Sequence, residues 1–272
     1  MDHDAALTLF DDQMRRRTRA DDPDDSGARV ERVGDVVRQV GADGDWNGIV
    51  WSGLDPATAD AAIAEQVRYF ASLGRDFEWK LYAYDRPEDL GARLRAAGFT
   101  PEPEETVMVA EIRDLPTAVD LPEGVRLQPV TDRAGVDLIA DVHEQAFGTS
   151  SARLREQLLA QLAQTPDSVT MTVAMAGDLP VCAARMELHP GTEFASLWGG
   201  GTLAAWRGRG IYRALVAHRA RIAAANGYRF LQVDASSQSR PILQRLGFVP
   251  LSTTTPHLYE QPHIDEQPPV RH

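Results

Sequence analysis

Trp198-Gly199-Gly200-Gly201-Thr202-Leu203-Ala204-Ala205-Trp206-Arg207-Gly208-Arg209-Gly210-Ile211-Tyr212 reads as a strand end, a Gly- and Arg-rich loop and a helix start. The helix follows from Ile211, Ala214, Leu215, His218, Ile222 and Ala225, which recur on one face. Backbone N–H groups at such a junction point outward and add to the helix dipole, so the place suits an anion. Glycines at 208 and 210 let a phosphate approach the backbone, and Arg207 and Arg209 add positive charge. A glycine turn with solvated arginines is the plainer alternative. A P-loop is excluded, because no Gly-Lys-Ser/Thr end is present. A dinucleotide fingerprint is excluded too: Arg213 stands where its third Gly or Ala belongs.

The neighbouring segments are read from periodicity and turn residues. A strand at 125–130 and helices at 135–147 and 152–162 precede strands at 169–176, 181–188 and 194–202. The turns Gly177-Asp178 and His189-Pro190-Gly191-Thr192 make these three an antiparallel meander. After the helix at 210–226 come a strand at 230–235, a short helix at 240–246 and a last strand near Leu251. From Glu260 the tail is polar and Pro-rich and is expected to be disordered.

The first half begins with a helix over 5–19 carrying Leu7, Phe10 and Met14 on one side, then an Asp-rich loop at 20–28. Strands are expected at 28–33, 36–40 and 47–54. Asp55 is read as the N-cap and Pro56 as the first residue of a helix to about Leu73. A strand at 77–84, a helix at 88–97 and a strand at 106–112 follow. Pro116 and Pro122 mark a boundary, giving domains 1–115, 116–260 and a tail 261–272. Both halves run strand, helix, Gly, strand, short helix, Gly-Phe, strand. Phe70–Gly74 through Gly98-Phe99 matches Ala223–Gly227 through Gly247-Phe248, which suggests a degenerate duplication.

The 272 residues suit two domains. The net charge of −12 disfavours nucleic acid and favours cationic partners such as amines. Cys182 is the only cysteine, so no intramolecular disulfide forms and a cytoplasmic location is expected. No apolar run suggests a signal peptide or a membrane span. Lys80 is the only lysine among many arginines, a composition that suggests a GC-rich bacterial source.

Arg207-Gly208-Arg209-Gly210-Ile211-Tyr212 resembles the pyrophosphate loop of the GNAT superfamily of N-acetyltransferases, and Ser239–Phe248 resembles that family's C-terminal motif. The resemblance covers about 125–259, and the first half resembles the family more weakly. It implies an α/β (α+β) fold, a mixed, mostly antiparallel sheet flanked by helices, here in tandem. It implies acetyl-CoA or another acyl-CoA as co-substrate and an amine of a small molecule or peptide as acceptor. Carried over by position, Gly200, Gly201 and Thr202 hold the pantetheine arm and acyl carbonyl. Arg207, Gly208, Arg209, Gly210, Ile211, Tyr212 and Arg213 form the pyrophosphate cradle, and Ser239 also belongs to the cofactor site. Two positions depart from the pattern. Tyr212 replaces a Gly or Ala, and Leu243 replaces the Tyr that acts as general acid in many relatives. The first half has Leu54-Asp55-Pro56-Ala57-Thr58 instead of a glycine loop and is read as non-catalytic.

Amine acylation needs a neutral amine, a polarised thioester and a path for two protons. Glu187 is the candidate base, and Glu193, His143 and His189 are further candidates with a surface role as the alternative. Cys182 reads as buried filler, and Trp198 and Met186 as pocket lining or core. No residue is assigned to a metal, and the oligomeric state stays open. A CoA-binding protein without catalysis and an O-acyltransferase remain alternative readings.

Overall fold

The computed structural model describes residues 2–17, 29–41 and 46–261. The expected loop at 20–28 and the tail beyond 261 lie outside these residues. The first half contains α1 (His3–Phe10), β1 (Arg29–Val33), β2 (Val36–Val40), β3 (Gly48–Ser52), α2 (Ala59–Ser72), β4 (Phe77–Tyr82), α3 (Leu90–Ala96), β5 (Thr100–Pro101) and β6 (Glu105–Glu111). The second contains β7 (Val125–Pro129), α4 (Arg133–Phe147), α5 (Ala152–Gln164), β8 (Val169–Ala176), β9 (Leu179–Leu188), β10 (Phe194–Thr202), α6 (Ile211–Ala225), β11 (Phe230–Ala235), α7 (Arg240–Arg245) and β12 (Val249–Tyr259).

Among the described residues twelve strands form one mixed sheet in the order β1-β2-β3-β4-β12-β6-β11-β10-β9-β8-β7, with β5 beside β12. Among the described residues only β3–β4 and β10–β11 are parallel, as is right for strands joined through the crossover helices α2 and α6. Alternating residues bury both faces. Met108, Leu197 and Leu231 pack with α6 and α7, whereas Val107, Phe194 and Phe230 pack beneath α1. α4 and α5 cover β8 and β9 on the α1 side.

The halves exchange their last strands. β6 pairs with β11 of the second half, and β12 pairs with β4 of the first. The two exchanged strands lie antiparallel at the centre of the sheet. The expected boundary at Leu115/Pro116 therefore marks a chain crossing within a continuous sheet. The last strand, expected near Leu251, extends to Tyr259 because it has a partner on each edge.

The duplication is visible in the backbone. Gly74 and Gly227 have φ of 64° and 82°, and Gly98 and Gly247 have 99° and 103°. The N–H of Phe99 donates to Leu94 O and that of Phe248 to Leu243 O, both at 3.1 Å. Such bonds close each helix over a left-handed glycine, with a buried Phe after it.

Three local expectations are corrected. The first helix changes at Asp11–Arg15 into a π-turn, which sets the buried Arg15 guanidinium between Asp11 (2.6 Å) and Asp85 (2.8 Å). Pro56 lies in a turn before α2, whose N-cap is Thr58 rather than Asp55. The strand expected to reach Tyr84 stops at Tyr82, because the Asp85 carboxylate turns back to accept the Tyr82 N–H at 3.0 Å.

Candidate active site

β10 and β11 run side by side only at Phe194–Ser196, opposite Phe230–Gln232. Stacked rings of Phe194 and Phe230, 5.0 Å apart, close this end. Beyond it β10 continues along β9 while β11 continues along β6, so the sheet opens into a cleft. Along Leu197–Thr202, the β10 edge facing this cleft has no strand partner among the described residues. Its other edge bulges: Gly199 and Gly200 both stand opposite Ala184, between the pairs Trp198↔Arg185 and Gly201↔Ala183.

The loop after β10 lies at the cleft's outer end. Gly208 and Gly210 have φ of 75° and 83°, where a side chain would strain the backbone. No side chain among the described residues caps α6, so the first-turn N–H groups at Ile211, Tyr212 and Arg213 can receive a ligand. A Cβ at Gly208 would meet nothing within 4 Å, so the loop faces open space. These features fit a pyrophosphate. The first half has the same parallel strand pair but not this vacancy. There the Asp55 carboxylate accepts the N–H groups of Ala57 (2.8 Å) and Thr58 (2.9 Å), which hold its pKa down. The chain's own acid occupies the corresponding place.

The candidate residues divide by what they touch. Arg207 donates to Thr202 O at 3.0 Å and Ala146 O at 3.4 Å, tying the loop to β10 and α4. Arg209 lies over Trp206, 4.6 Å from the ring centre, and Arg213 is exposed in the first turn. Phe147 packs over Gly201, whose added Cβ would be 3.0 Å from the ring. Ser239 stands at the N-cap position of α7 without a side-chain capping bond, and its hydroxyl meets Ser236 Oγ at 3.3 Å. Leu243 is fully buried in the α6–α7 core, the role Leu94 has in the first half's core.

Glu187 accepts from Gln161 at 3.0 Å and lies 3.6 Å from Arg185 Nε. Glu193 meets Arg229 and Gln13, far along the closed end of β10. His143 packs on Phe147, where burial lowers its pKa. Burial pushes the Cys182 thiol up to about 11, and its Sγ meets Thr202 Oγ1 at 3.0 Å. Met186 is core and Trp198 is partly exposed at the cleft.

A polar chain on the α1 side of the sheet was not anticipated from sequence. His189 Nε2 meets Ser196 Oγ (2.8 Å), which donates to Gln232 Oε1 (2.7 Å). Gln232 Nε2 donates to Asp234 Oδ1 (2.8 Å), and Asp234 Oδ2 pairs with Lys80 Nζ. Burial opposes the Lys80 charge, but Asp234, Tyr82 and Glu78 together outweigh it and hold its pKa above the ordinary lysine value. Polar residues alternating through an apolar β11 are the signal that could have drawn attention to it.

No protein-family model and no curated protein matches the sequence. Solved structures do. A GCN5-related N-acetyltransferase from Kribbella flavida is 19% identical with a TM-score of 0.64, over 87% of this chain and 91% of that one. A second, from Sphaerobacter thermophilus, is 19% identical with a TM-score of 0.54, over 87% and 84%. A tandem GNAT protein from the clavulanic acid biosynthesis pathway is 13% identical with a TM-score of 0.57, over 86% and 83%. With its splayed parallel strands, its glycine loop and these neighbours, the chain has the two-domain fold of the GNAT acetyltransferases.

Proposed function

We propose that the chain is an acyl-CoA-dependent N-acyltransferase, with acetyl-CoA as donor and an amine of a small molecule or peptide as acceptor. The observation that carries this reading is the cleft between β10 and β11, with the uncapped α6 terminus at its outer end. The pyrophosphate lies on the 208–213 backbone, and the pantetheine follows the open β10 edge, where the protein's N–H groups polarise the thioester carbonyl. The amine attacks the carbonyl carbon, a C–N bond forms, and the C–S electron pair leaves with sulfur. A thiol pKa near about 8.5 makes that leaving group tolerable without a dedicated acid. The first half takes no CoA, since Asp55 fills its equivalent position. The reaction belongs in the cytoplasm, where acyl-CoA is found.

A second reading, CoA binding without turnover, draws on Leu243, which offers the sulfur no proton. Calorimetric titration with acetyl-CoA, followed by thiol release across an amine panel, separates the two. Binding with amine-dependent release is expected. Binding with no release from any amine would favour the second reading, and absence of binding would remove both.

A further inference from the structure

Among the described residues, one carboxylate near the open end of β11 has no hydrogen-bond or ion-pair partner. Glu105 begins β6, the strand that the first half lends to the second. Val107 is paired with Asp234, so Glu105 stands two residues further on, on the same face and level with the end of β11. β11 stands between β6 and β10 and ends at Ala235, so Glu105 borders the open end of the β10–β11 pair from the β6 side. Asp234 is fully committed, one oxygen to Gln232 and the other to Lys80. Of the other carboxylates on this face, Glu187 is held by Gln161 beside Arg185, Glu111 pairs with Arg113 and Arg229, and Glu78 accepts from Trp46. Glu105 is half-buried and makes neither a hydrogen bond nor an ion pair among the described residues.

We propose that Glu105 accepts the proton of the acceptor, which arrives as an ammonium ion on this face of the sheet. The inference rests on the acyltransferase reading above and adds the acceptor's charge state and the first half's part in the reaction. An alkylamine near pKa ~10 is almost wholly protonated at neutral pH, and its nitrogen cannot attack until a proton leaves. Glu105 takes that proton, directly or through one water, and the freed lone pair attacks the thioester carbonyl. The tetrahedral nitrogen then loses its second proton to the departing thiolate, and Glu105 returns the first to solvent. Amide and free thiol form with one proton released, and no oxidant or further reactant is needed.

The surroundings suit the task. The charges facing Glu105 are Asp234 on β11 and Lys80 and Glu78 on β4, while β12 opposite it offers Thr254. Burial first, then Asp234, raises its pKa to about 6, against the opposing pull of Lys80. A base with that affinity is ionised at neutral pH yet binds a proton better than an ordinary carboxylate does. The Asp234–Lys80 pair is neutral overall, so the cleft keeps net negative charge from Glu105 and Glu78 to draw in a cation.

The test compares wild type, Glu105→Gln and Glu187→Gln with two probes. Propylamine is cationic at neutral pH, and 2,2,2-trifluoroethylamine is already neutral. Acetyl-CoA affinity, measured first by calorimetry, should be equal in all three proteins. Glu105→Gln is expected to lose roughly 10²-fold or more in kcat/KM for propylamine, and less than about tenfold for trifluoroethylamine. The carboxyl-carbon NMR signal absent from Glu105→Gln should titrate near 6 in the wild type, whether or not a probe is turned over. Equal losses for both amines, a loss confined to Glu187→Gln, or titration of Glu105 as an ordinary carboxylate would overturn the proposal. Failure of the wild type to bind acetyl-CoA would instead remove the acyltransferase reading beneath it.

Discussion

The ring of Tyr212 occupies the space that a side chain at Gly200 would need: a Cβ there would stand 2.7 Å from Tyr212 Cε2. The first turn of α6 approaches β10 closely, which explains how the loop accepts a large residue where the resemblance calls for Gly or Ala. Room lost at 212 is regained at 200. Gly200→Ala is expected to displace Tyr212 and with it the first turn of α6, weakening acetyl-CoA binding by roughly tenfold, about 1.4 kcal/mol. Adding Tyr212→Ala should restore most of that affinity, because contacting sites couple. Calorimetry on both variants checks it, and simple additivity of two losses would reject the coupling.

Gly210→Glu tests the cradle itself. The residue holds φ at 83°, so any side chain strains the turn by about 1–2 kcal/mol. The added carboxylate also opposes a pyrophosphate, much as Asp55 fills the equivalent place in the first half. Loss of acetyl-CoA binding with an unchanged circular dichroism spectrum is expected. Retained affinity in the folded variant would move the phosphate site elsewhere.

The loop, α6 and the meander β8–β10 were legible because each is a local pattern: periodicity, turn residues and a glycine pair within about twenty residues. The repeat was legible for the same reason, since Gly74, Gly98, Gly227 and Gly247 recur at helix ends. Strand exchange was not, because β6 and β12 read as ordinary strands whichever half they join. The grouping of Glu105 and Lys80 around Asp234 is hidden for that reason. Both face Asp234 of β11 only once the strands have crossed, and their neighbours in sequence carry no motif. Asp55 was misplaced by a few residues because its side chain caps a turn that precedes the helix.

Strand exchange makes a prediction about cutting the chain. A fragment ending at Leu115 lacks β12 and leaves the β4 edge bare, and the remainder lacks β6 beside β11. Each would expose edge strands and apolar surface buried in the intact sheet. Neither 1–115 nor 116–272 is expected to fold alone, and the two mixed together should regain a dispersed NMR spectrum. A cooperative thermal transition in either isolated fragment would show that the exchanged strand is dispensable to its core.

Removing the Glu105 charge should also change stability, with a sign fixed by linkage. Its folded-state pKa is raised to about 6 by burial and by Asp234, above the value of an unfolded chain. The folded protein therefore holds this proton more tightly than the unfolded chain does. The group's contribution is fully present at acid pH below the unfolded value, and is lost as pH rises through about 6. At neutral pH the wild type carries a half-buried, unpartnered carboxylate beside a second one. Glu105→Gln keeps the shape and removes that charge. It should melt higher than the wild type at about pH 7.5, with the advantage fading towards about pH 4, where Glu105 is protonated in both states. Lys80 now lowers the Glu105 pKa, so Lys80→Met should push it above 6, provided the fold survives the loss of the Asp234 partner. That loss alone is expected to cost about 3–5 kcal/mol, because it leaves Asp234 as a buried unpaired charge. Thermal melts of the Gln variant and wild type across this pH range decide the matter: a difference in Tm that does not change with pH would mean Glu105 titrates as an ordinary surface acid.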